Sequence, residues 1–530
     1  MSEKQPVYVL PEHVSRTLGK DAQRNNILAA KIIADIVKTT LGPKGMDKML
    51  VDASGEVIVT NDGVTILEEM EIDHPAAKMI VEIARTQEHE VGDGTTTAAL
   101  LAGKLLEHAE KLLDRKIHPT MIVQGYRKAA EKSVSILNDL ALPVRDHEIL
   151  KNIAMTAMTG KGAEGHKEKL ADLIVQAANQ VATGREISLQ DIKIQKLKGQ
   201  DIKESEMVHG LILERERANS AMPSVVKDAK ILLVDFSLEI KNPETEAKIA
   251  VSTPEQLDSF LASEEKYLKM MTDKIISTGA NVVFCQKGID DVAQYYFAQA
   301  GIFACRRVSK SDIEFLSRAT GAKVLSNLQD VHGSALGEVQ EVEEKEFGDE
   351  HFVYFRGCQN PRVATLILRG ATKHVVDEIE RAVKDGLGDV IATVKSGKVV
   401  PGGGAIEIEL ARRLRIFAKS LGGREQLAIE EFAHALESIP EALAENAGLD
   451  PLDILTELRK RHESGMQNHG LNLFTDTIED TFSAGIVEPL KVKTQAISSA
   501  SEVAMMILRI DDVLVSRRTD HQPSGYRGVD

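Results

Sequence analysis

Cysteine is scarce in this chain: 530 residues carry only Cys285, Cys305 and Cys358, an odd number at wide spacing. That excludes a disulfide framework and a CxxC metal site, and it suits a reducing compartment. Long apolar runs are missing too. No uninterrupted stretch approaches the roughly 20 residues that a membrane helix needs. The opening Met1-Ser2-Glu3-Lys4 has no apolar signal-peptide core, so a cytoplasmic protein is expected. Positive charge is in deficit, with 65 Lys and Arg against 81 Asp and Glu and a formal net charge of −16. A surface of that sign repels phosphate backbones, so general nucleic-acid or anionic-membrane binding is not expected. None of the 15 histidines forms an HExxH or paired metal-ligand spacing, and His89-Glu90 lacks the second histidine. A Walker GxxxxGK(S/T) loop and a GxSxG elbow are absent as well.

What is present is an ordinary globular balance, 43% hydrophobic and 28% charged, with length for about three to four domains. No internal repeat or low-complexity tract interrupts it. The first 150 residues read as mostly helical. Ala29, Ile32, Ile33, Ile36 and Val37 recur at helical spacing, and Leu41-Gly42-Pro43-Lys44-Gly45 ends that helix. The runs Glu56–Thr60 and Val64–Leu67 flank Asn61-Asp62-Gly63 and predict a hairpin. Helices are predicted around 76–90 and 95–113, with Gly92-Asp93-Gly94 between them. The middle differs. Ile231–Phe236 and Ala280–Phe284 look like buried strands with helical patterns between and after them, so a separate α/β domain is expected over about 213–364. Within it Thr253-Pro254-Glu255-Gln256 reads as an N-cap with proline at the first helical position. It opens a helix of about 24 residues through Leu257, Phe260, Leu261, Leu268, Met271 and Ile275, which on its own reads as a long amphipathic surface helix. After residue 403 the pattern is helical again, which suggests that the two flanks form one discontinuous domain. Thr519 to Asp530 are rich in turn formers and are expected to fray.

Several short motifs could carry chemistry. In Gly92-Asp93-Gly94-Thr95-Thr96-Thr97 the threonines fall in the first turn of a helix rich in leucine. A helix N-terminus offers free N–H groups and a positive dipole end to phosphate. The glycines permit close backbone approach, the hydroxyls add donors, and Asp93 could hold Mg²⁺. A plain helix cap uses the same residue types. Asp62 sits where turns commonly place aspartate. Asp385 lies off the apolar face formed by Val376, Ile379, Val383, Leu387, Val390, Ile391 and Val394, near Glu378, Arg381 and Asp389. The default reading there is a solvated charged face. Val399-Val400-Pro401-Gly402-Gly403-Gly404 leads into a helix at Ala405, where glycines serve either a ligand or a hinge.

Taken in order, the motifs resemble a known family. Leu41–Gly45, Asn61–Ile66, Gly92–Thr97 and Val400–Gly404 are followed by Val492-Lys493-Thr494-Gln495-Ala496 and Leu508-Arg509-Ile510-Asp511-Asp512. The set and its spacing resemble a group II chaperonin subunit, as in the archaeal thermosome or the related eukaryotic cytosolic chaperonin, from about residue 8 to about 516. The regularity of the motifs is more similar to a thermosome subunit. The resemblance implies a multidomain α + α/β chaperonin fold. A mostly helical equatorial domain would comprise 1–145 and 403–530, and a hinge-like intermediate domain 146–212 and 365–402. An α/β apical domain, 213–364, would bind unfolded protein, with a helical protrusion over about 244–276 forming a built-in lid.

The same resemblance implies site residues. Asp93 would coordinate Mg²⁺ on the ATP phosphates, with Gly94, Thr95, Thr96 and Thr97 cradling them. Leu41, Gly42 and Pro43 would approach the nucleotide through their backbone. Lys161, in the loop Thr159-Gly160-Lys161, would reach the phosphates, Gly403 would pack on the nucleoside, and Glu488 would contact ribose or base. Asp385 and Asp62 would orient the attacking water. Because Asp385 would come from a second domain, hydrolysis would require domain closure, which would swing the lid. The implied function is an ATP-driven chaperone that encloses unfolded clients in stacked rings of like subunits, with no separate co-chaperonin. Two departures stand out: Ala157-Met158 where the family usually has Ser-Leu, and a C-terminus without the Gly/Met-rich tail of many relatives. A monomeric Mg²⁺-dependent kinase or ligase, and a scaffold that binds ATP without hydrolysing it, are the competing readings.

Overall fold

The computed structural model describes residues 14–516, apart from 52–54, 56, 145, 163, 200, 209, 241–253, 348–349 and 359–362. The cap expected at Thr253, the start of the expected protrusion (244–253) and the tail 519–530 lie outside the described residues. The described residues of 1–161 and 396–530 form one compact unit, and those of 162–395 form another.

The first unit begins with strand β1 (Val14–Leu18) and helix α1 (Gly19–Lys38), then strands β2 (Lys48–Val51) and β3 (Val57–Thr60). Helices α2 (Gly63–Glu69), α3 (Pro75–Glu90), α4 (Thr95–Asp114) and α5 (Pro119–Leu140) follow, then β4 (Leu142–Pro143) and α6 (His147–Met158). Leucine and alanine form a broad face of α4, and Leu100, Leu101, Leu105, Leu106 and Leu112 are all fully buried. So wide an apolar face belongs in a core, and α1, α3 and α5 pack against the helix. The approach to α1 is close enough that a Cβ on Gly103 would lie 2.3 Å from the Ala34 Cβ.

The expected hairpin over 56–67 is corrected. Its first run is β3, which pairs antiparallel with β2, but its second run is helix α2. The Asp62 carboxylate accepts from the Thr65 N–H at 2.9 Å and from the Thr65 hydroxyl at 2.7 Å, capping that helix. A short apolar run fits strand or helix equally, and here the cap decides.

The second unit opens with α7 (Lys167–Val181) and strands β5 (Ile192–Lys198), β6 (Glu206–Val208), β7 (Gly210–Glu214) and β8 (Val225–Val234). Next come α8 (Pro254–Ser277), β9 (Val282–Cys285), α9 (Asp291–Gln299), β10 (Phe303–Cys305), α10 (Lys310–Thr320) and β11 (Val324–Leu325). Strands β12 (Gly337–Phe347), β13 (Glu350–Cys358) and β14 (Ala364–Gly370) lead to α11 (Lys373–Ser396). One sheet runs β10-β9-β8-β12-β13-β7, with β11 also on β8; β8, β9 and β10 are parallel, while β12 pairs antiparallel with both β8 and β13. Both faces of β8 are covered: Ile231 and Leu233 face one apolar cluster, Leu232 and Val234 the other. A three-stranded sheet, β5-β14-β6, carries α7. The long helix expected after Thr253 is α8, whose Leu268, Met271 and Ile275 are buried while Phe260 and Leu261 are exposed.

The chain then returns to the first unit with β15 (Lys398–Pro401), α12 (Ala405–Leu421), α13 (Gly423–Asn446) and α14 (Pro451–Glu463). It ends with β16 (His469–Asn472), β17 (Thr477–Asp480), β18 (Val487–Pro489), α15 (Leu490–Leu508) and β19 (Asp512–Ser516). Helices α12, α13 and α15 complete the core around α4 and α5. β15 joins β4 and β18 in one sheet, β16 pairs with β17, and β19 pairs antiparallel with β1.

Candidate nucleotide site

Two helix starts and three loops of the first unit meet at one cavity. Helix α3 stops at Glu90 because Gly92, with φ +96°, turns the chain, and Gly94, with φ +80°, is the N-cap of α4. No side chain caps that helix, so the N–H groups of its first turn remain available to an anion. Gly63, at the start of α2, sits against this turn: a Cβ there would lie 2.5 Å from Thr96 Oγ1 and 3.2 Å from its backbone nitrogen.

The loop after α1 forms another wall. Asn446, at the end of α13, donates to the carbonyls of Lys38 and Leu41 at 2.9 and 2.8 Å, which fixes Leu41-Gly42-Pro43. The loop after α6 packs on it, since a Cβ on Gly160 would lie 2.7 Å from Pro43 Cα. Asn61 donates to the Gly160 carbonyl at 2.6 Å, so three separate segments are tied together. From the same loop, Lys161 Nζ reaches to 3.6 Å from Asp93 Oδ1.

The far side is built by the C-terminal half. Gly403, with φ +65°, lies so close to β16 that a Cβ would be 2.6 Å from the Leu471 carbonyl oxygen. Glu488 on β18 pairs with Val400 of β15, and Lys493 Nζ lies 2.7 Å from Glu488 Oε2 and 2.8 Å from Glu407 Oε1. Burial pushes the Glu488 carboxyl above its ordinary pKa against the pull of Lys493, and the Glu407 and Asp93 carboxylates add to the rise. Burial alone would lower the Lys493 pKa, but its two carboxylate partners outweigh it and keep the ammonium charged. Leu443, Leu471, Leu473 and Ile486 supply an apolar wall.

Every site residue that the sequence suggested within this unit therefore collects at one place. Leu41, Gly42, Pro43, Asp62, Asp93, Gly94, Thr95, Thr96, Thr97, Thr159, Lys161, Gly403 and Glu488 line the cavity, and Gly160 backs it. Asp385 does not belong to this unit. It is half-buried on α11 of the other one. The solvated face expected around it is corrected in one respect, because Asp389 is only 2% exposed. Sequence reasoning assigned no role to Asn61, Asn446 or Lys493. Asn61 and Lys493 carried a signal, as parts of quoted motifs, and Asn446 carried none.

The donor set suits a magnesium nucleotide. Oxygen ligands from Asp93, Asp62 and the threonine hydroxyls are those a hard cation takes. Among the described residues no group of three or more His, Cys, Asp or Glu is placed to hold a metal unaided. Magnesium needs no such cage, because one or two carboxylates serve when phosphate supplies the remaining ligands.

The chain is similar to known proteins over nearly its whole length. Residues 33–518 match the TCP-1/cpn60 chaperonin family. The chain is 55% identical to the thermosome subunit beta of Archaeoglobus fulgidus over 527 residues, covering 98% of this chain and 97% of that protein. It is 53% identical to the thermosome subunit beta of Methanothermobacter thermautotrophicus over 522 residues, covering 98% and 97%. The open-state monomer of a group II chaperonin from Methanococcoides burtonii superimposes with a TM-score of 0.61 at 45% identity, covering 79% of this chain and all of that one. The chain belongs to the TCP-1/cpn60 chaperonin family, and within it to the group II subunits of the archaeal thermosome type.

Proposed function

We propose that this ATP-dependent chaperone subunit hydrolyses Mg·ATP at the cavity described above and uses the energy to open and close a chamber around unfolded protein. The observation that carries the reading is the convergence of the uncapped α4 N-terminus, Asp93, Asp62, Lys161 and Glu488 on one cavity in a chain of this family. Gly94 to Thr97 bind phosphate through backbone N–H groups and hydroxyls. Lys161 adds a positive charge to the same phosphates. Asp93 holds magnesium, which neutralises phosphate charge when bound. Glu488 meets the ribose or base, with Gly403 packed on the nucleoside. Asp62 and Asp385 hold and orient the attacking water, a positioning role.

A division of labour goes with this reading. Residues 1–145 with 403–530 are proposed as the equatorial domain, 146–212 with 365–402 as the intermediate domain and 213–364 as the apical domain. With the water-orienting pair split between domains, turnover requires their closure, and closure moves α8 as part of a built-in lid. Like subunits stack in rings, clients bind through exposed apolar surface, and no separate co-chaperonin is required. Among the described residues no helix is long and apolar enough to cross a membrane, and the proposed compartment is the cytoplasm. A monomeric kinase or ligase is not favoured, because the similarity to thermosome subunits extends over nearly the whole chain.

The test is phosphate release from ATP by the purified protein with and without Mg²⁺. Magnesium-dependent turnover that accelerates refolding of a denatured client supports the reading. Nucleotide binding with no turnover would reduce the protein to a scaffold.

A further inference from the structure

Gln87 fastens the phosphate-binding turn to the segment beside Lys493 on the far side of the cavity. It lies in the last turn of α3, where Ile80, Ile83, Ala84 and Gln87 share the buried stripe, and it is fully buried. A leucine would satisfy the helix pattern there, and burying a primary amide is costly unless its hydrogen bonds are made. Gln87 makes two. Its Nε2 donates to the Asp93 carbonyl at 2.8 Å and to the Val492 carbonyl at 3.2 Å. Its own backbone carbonyl accepts from Val91 and Gly92 at 3.0 and 3.4 Å, so the same residue also closes the turn that delivers Asp93. Both bonded carbonyls belong to segments that line the cavity, one at Asp93-Gly94 and the other next to Lys493. Gly94 fits beneath this arrangement only without a Cβ, which would lie 2.7 Å from Val492 Cγ1 and 3.0 Å from Gln87 Nε2. The remaining amide oxygen, Oε1, is buried without a hydrogen-bond partner.

We infer that Gln87 is a positioning residue for the Mg·ATP site: by holding the Asp93 carbonyl it sets the Asp93–Gly94 peptide plane. In a trans peptide the C=O and N–H point in opposite directions. With the Asp93 oxygen turned towards Gln87, the Gly94 N–H faces the other way, where it would be available to phosphate, and the Asp93 side chain is fixed beside it. The bond to Val492 keeps this turn in register with Lys493 and, through it, Glu488. The inference rests on the nucleotide reading proposed above.

The test compares the whole protein with Gln87→Met, which keeps length and volume but removes both donors. Fluorescent ADP and Mg·ATP titrations give affinity, and apo thermal unfolding gives stability. Gln87→Met leaves the Asp93 carbonyl without this donor, which costs stability, but it also removes the unpartnered Oε1, which offsets part of that cost. The expected result is affinity for Mg·ATP weaker by about tenfold, the size of a lost hydrogen bond or two, in a protein that still folds with an apo unfolding midpoint only slightly lowered. Unaltered affinity would overturn the inference while leaving the site itself intact. Failure of the unsubstituted protein to bind Mg·ATP would overturn the site and this inference together. If Gln87→Met does not fold, hydrogen exchange of the unsubstituted protein decides: Mg·ATP should protect the Gly94 amide, and an unprotected Gly94 amide overturns the inference.

Discussion

Lys493 holds Glu488: its ammonium lies 2.7 Å from Glu488 Oε2 while also contacting Glu407 at 2.8 Å. One buried cation thus serves two carboxylates, and Glu407 and Lys493 are only 2% and 5% exposed. Removing the cation leaves the buried Glu407 and the partly buried Glu488 without their counter-ion, a change that costs about 3–5 kcal/mol where a pair is fully buried and less here. Lys493→Met should therefore lower the unfolding midpoint and weaken nucleotide binding together. Glu407→Gln, which keeps one carboxylate on the lysine, should lose clearly less of both. Calorimetry and nucleotide titration on the two variants check the order.

Asp93 and Asp385 should separate by kinetics. Asp93→Ala removes the proposed magnesium ligand, so affinity for Mg·ATP should fall while affinity for metal-free nucleotide changes little. Asp385→Ala should retain Mg·ATP binding and lose most turnover. Unchanged turnover in Asp385→Ala would refute its part in orienting water.

Gly160 is a steric prediction. Its φ is +78°, and an added Cβ would meet Pro43 Cα at 2.7 Å and the Gly42 carbonyl oxygen at 3.1 Å. The left-handed conformation alone costs a non-glycine residue about 1–2 kcal/mol. Gly160→Ala should push Lys161 and the Gly42-Pro43 loop apart and raise the KM for ATP several-fold. Gly165→Ala, at a position with nothing within 4 Å and no positive φ, is the control that should leave it unchanged.

Acid should weaken the first unit through Glu409. Burial opposes ionisation of this carboxyl, but hydrogen bonds from His462, Arg412 and Arg413 outweigh it and hold the pKa down to about 2, from an ordinary 4.5. A group whose folded pKa lies below its unfolded value stabilises the fold above the unfolded pKa. That contribution fades as pH falls from about 4.5 towards about 2. The gap in unfolding midpoint between the unsubstituted protein and Glu409→Gln should be widest near neutral pH and close as pH falls through this window.

Much of this molecule is legible in its sequence, for reasons that differ by element. Helices α3 and α4 announce themselves through long apolar periodicity and a glycine turn between them, and the structure has them within a residue of the expected bounds. α8 is equally plain from its length and its proline. α2 is not, because a seven-residue apolar segment has no period of its own and its state is set by the Asp62 cap. Local motifs also point to the residues that gather at the cavity, since glycine, threonine and aspartate at a helix start carry a recognisable pattern. The supports behind them leave no such trace. Gln87 sits among Glu88, His89 and Glu90 and reads as one more polar residue, while Asn446 bonds to Leu41 from the far end of the chain. Glu407 and Lys493 become a pair only once β15 and β18 bring α12 and α15 together. Asp389 looks solvated by its neighbours, but the packing of α11 buries it.

The central claim is that nucleotide chemistry in this chain drives closure of a ring-shaped chamber. Negative-stain imaging of the purified protein with and without Mg·ATP tests it most directly. The account predicts stacked rings that are open without nucleotide and closed at both ends with it. Single particles in both conditions, even after like subunits are co-expressed, would contradict it.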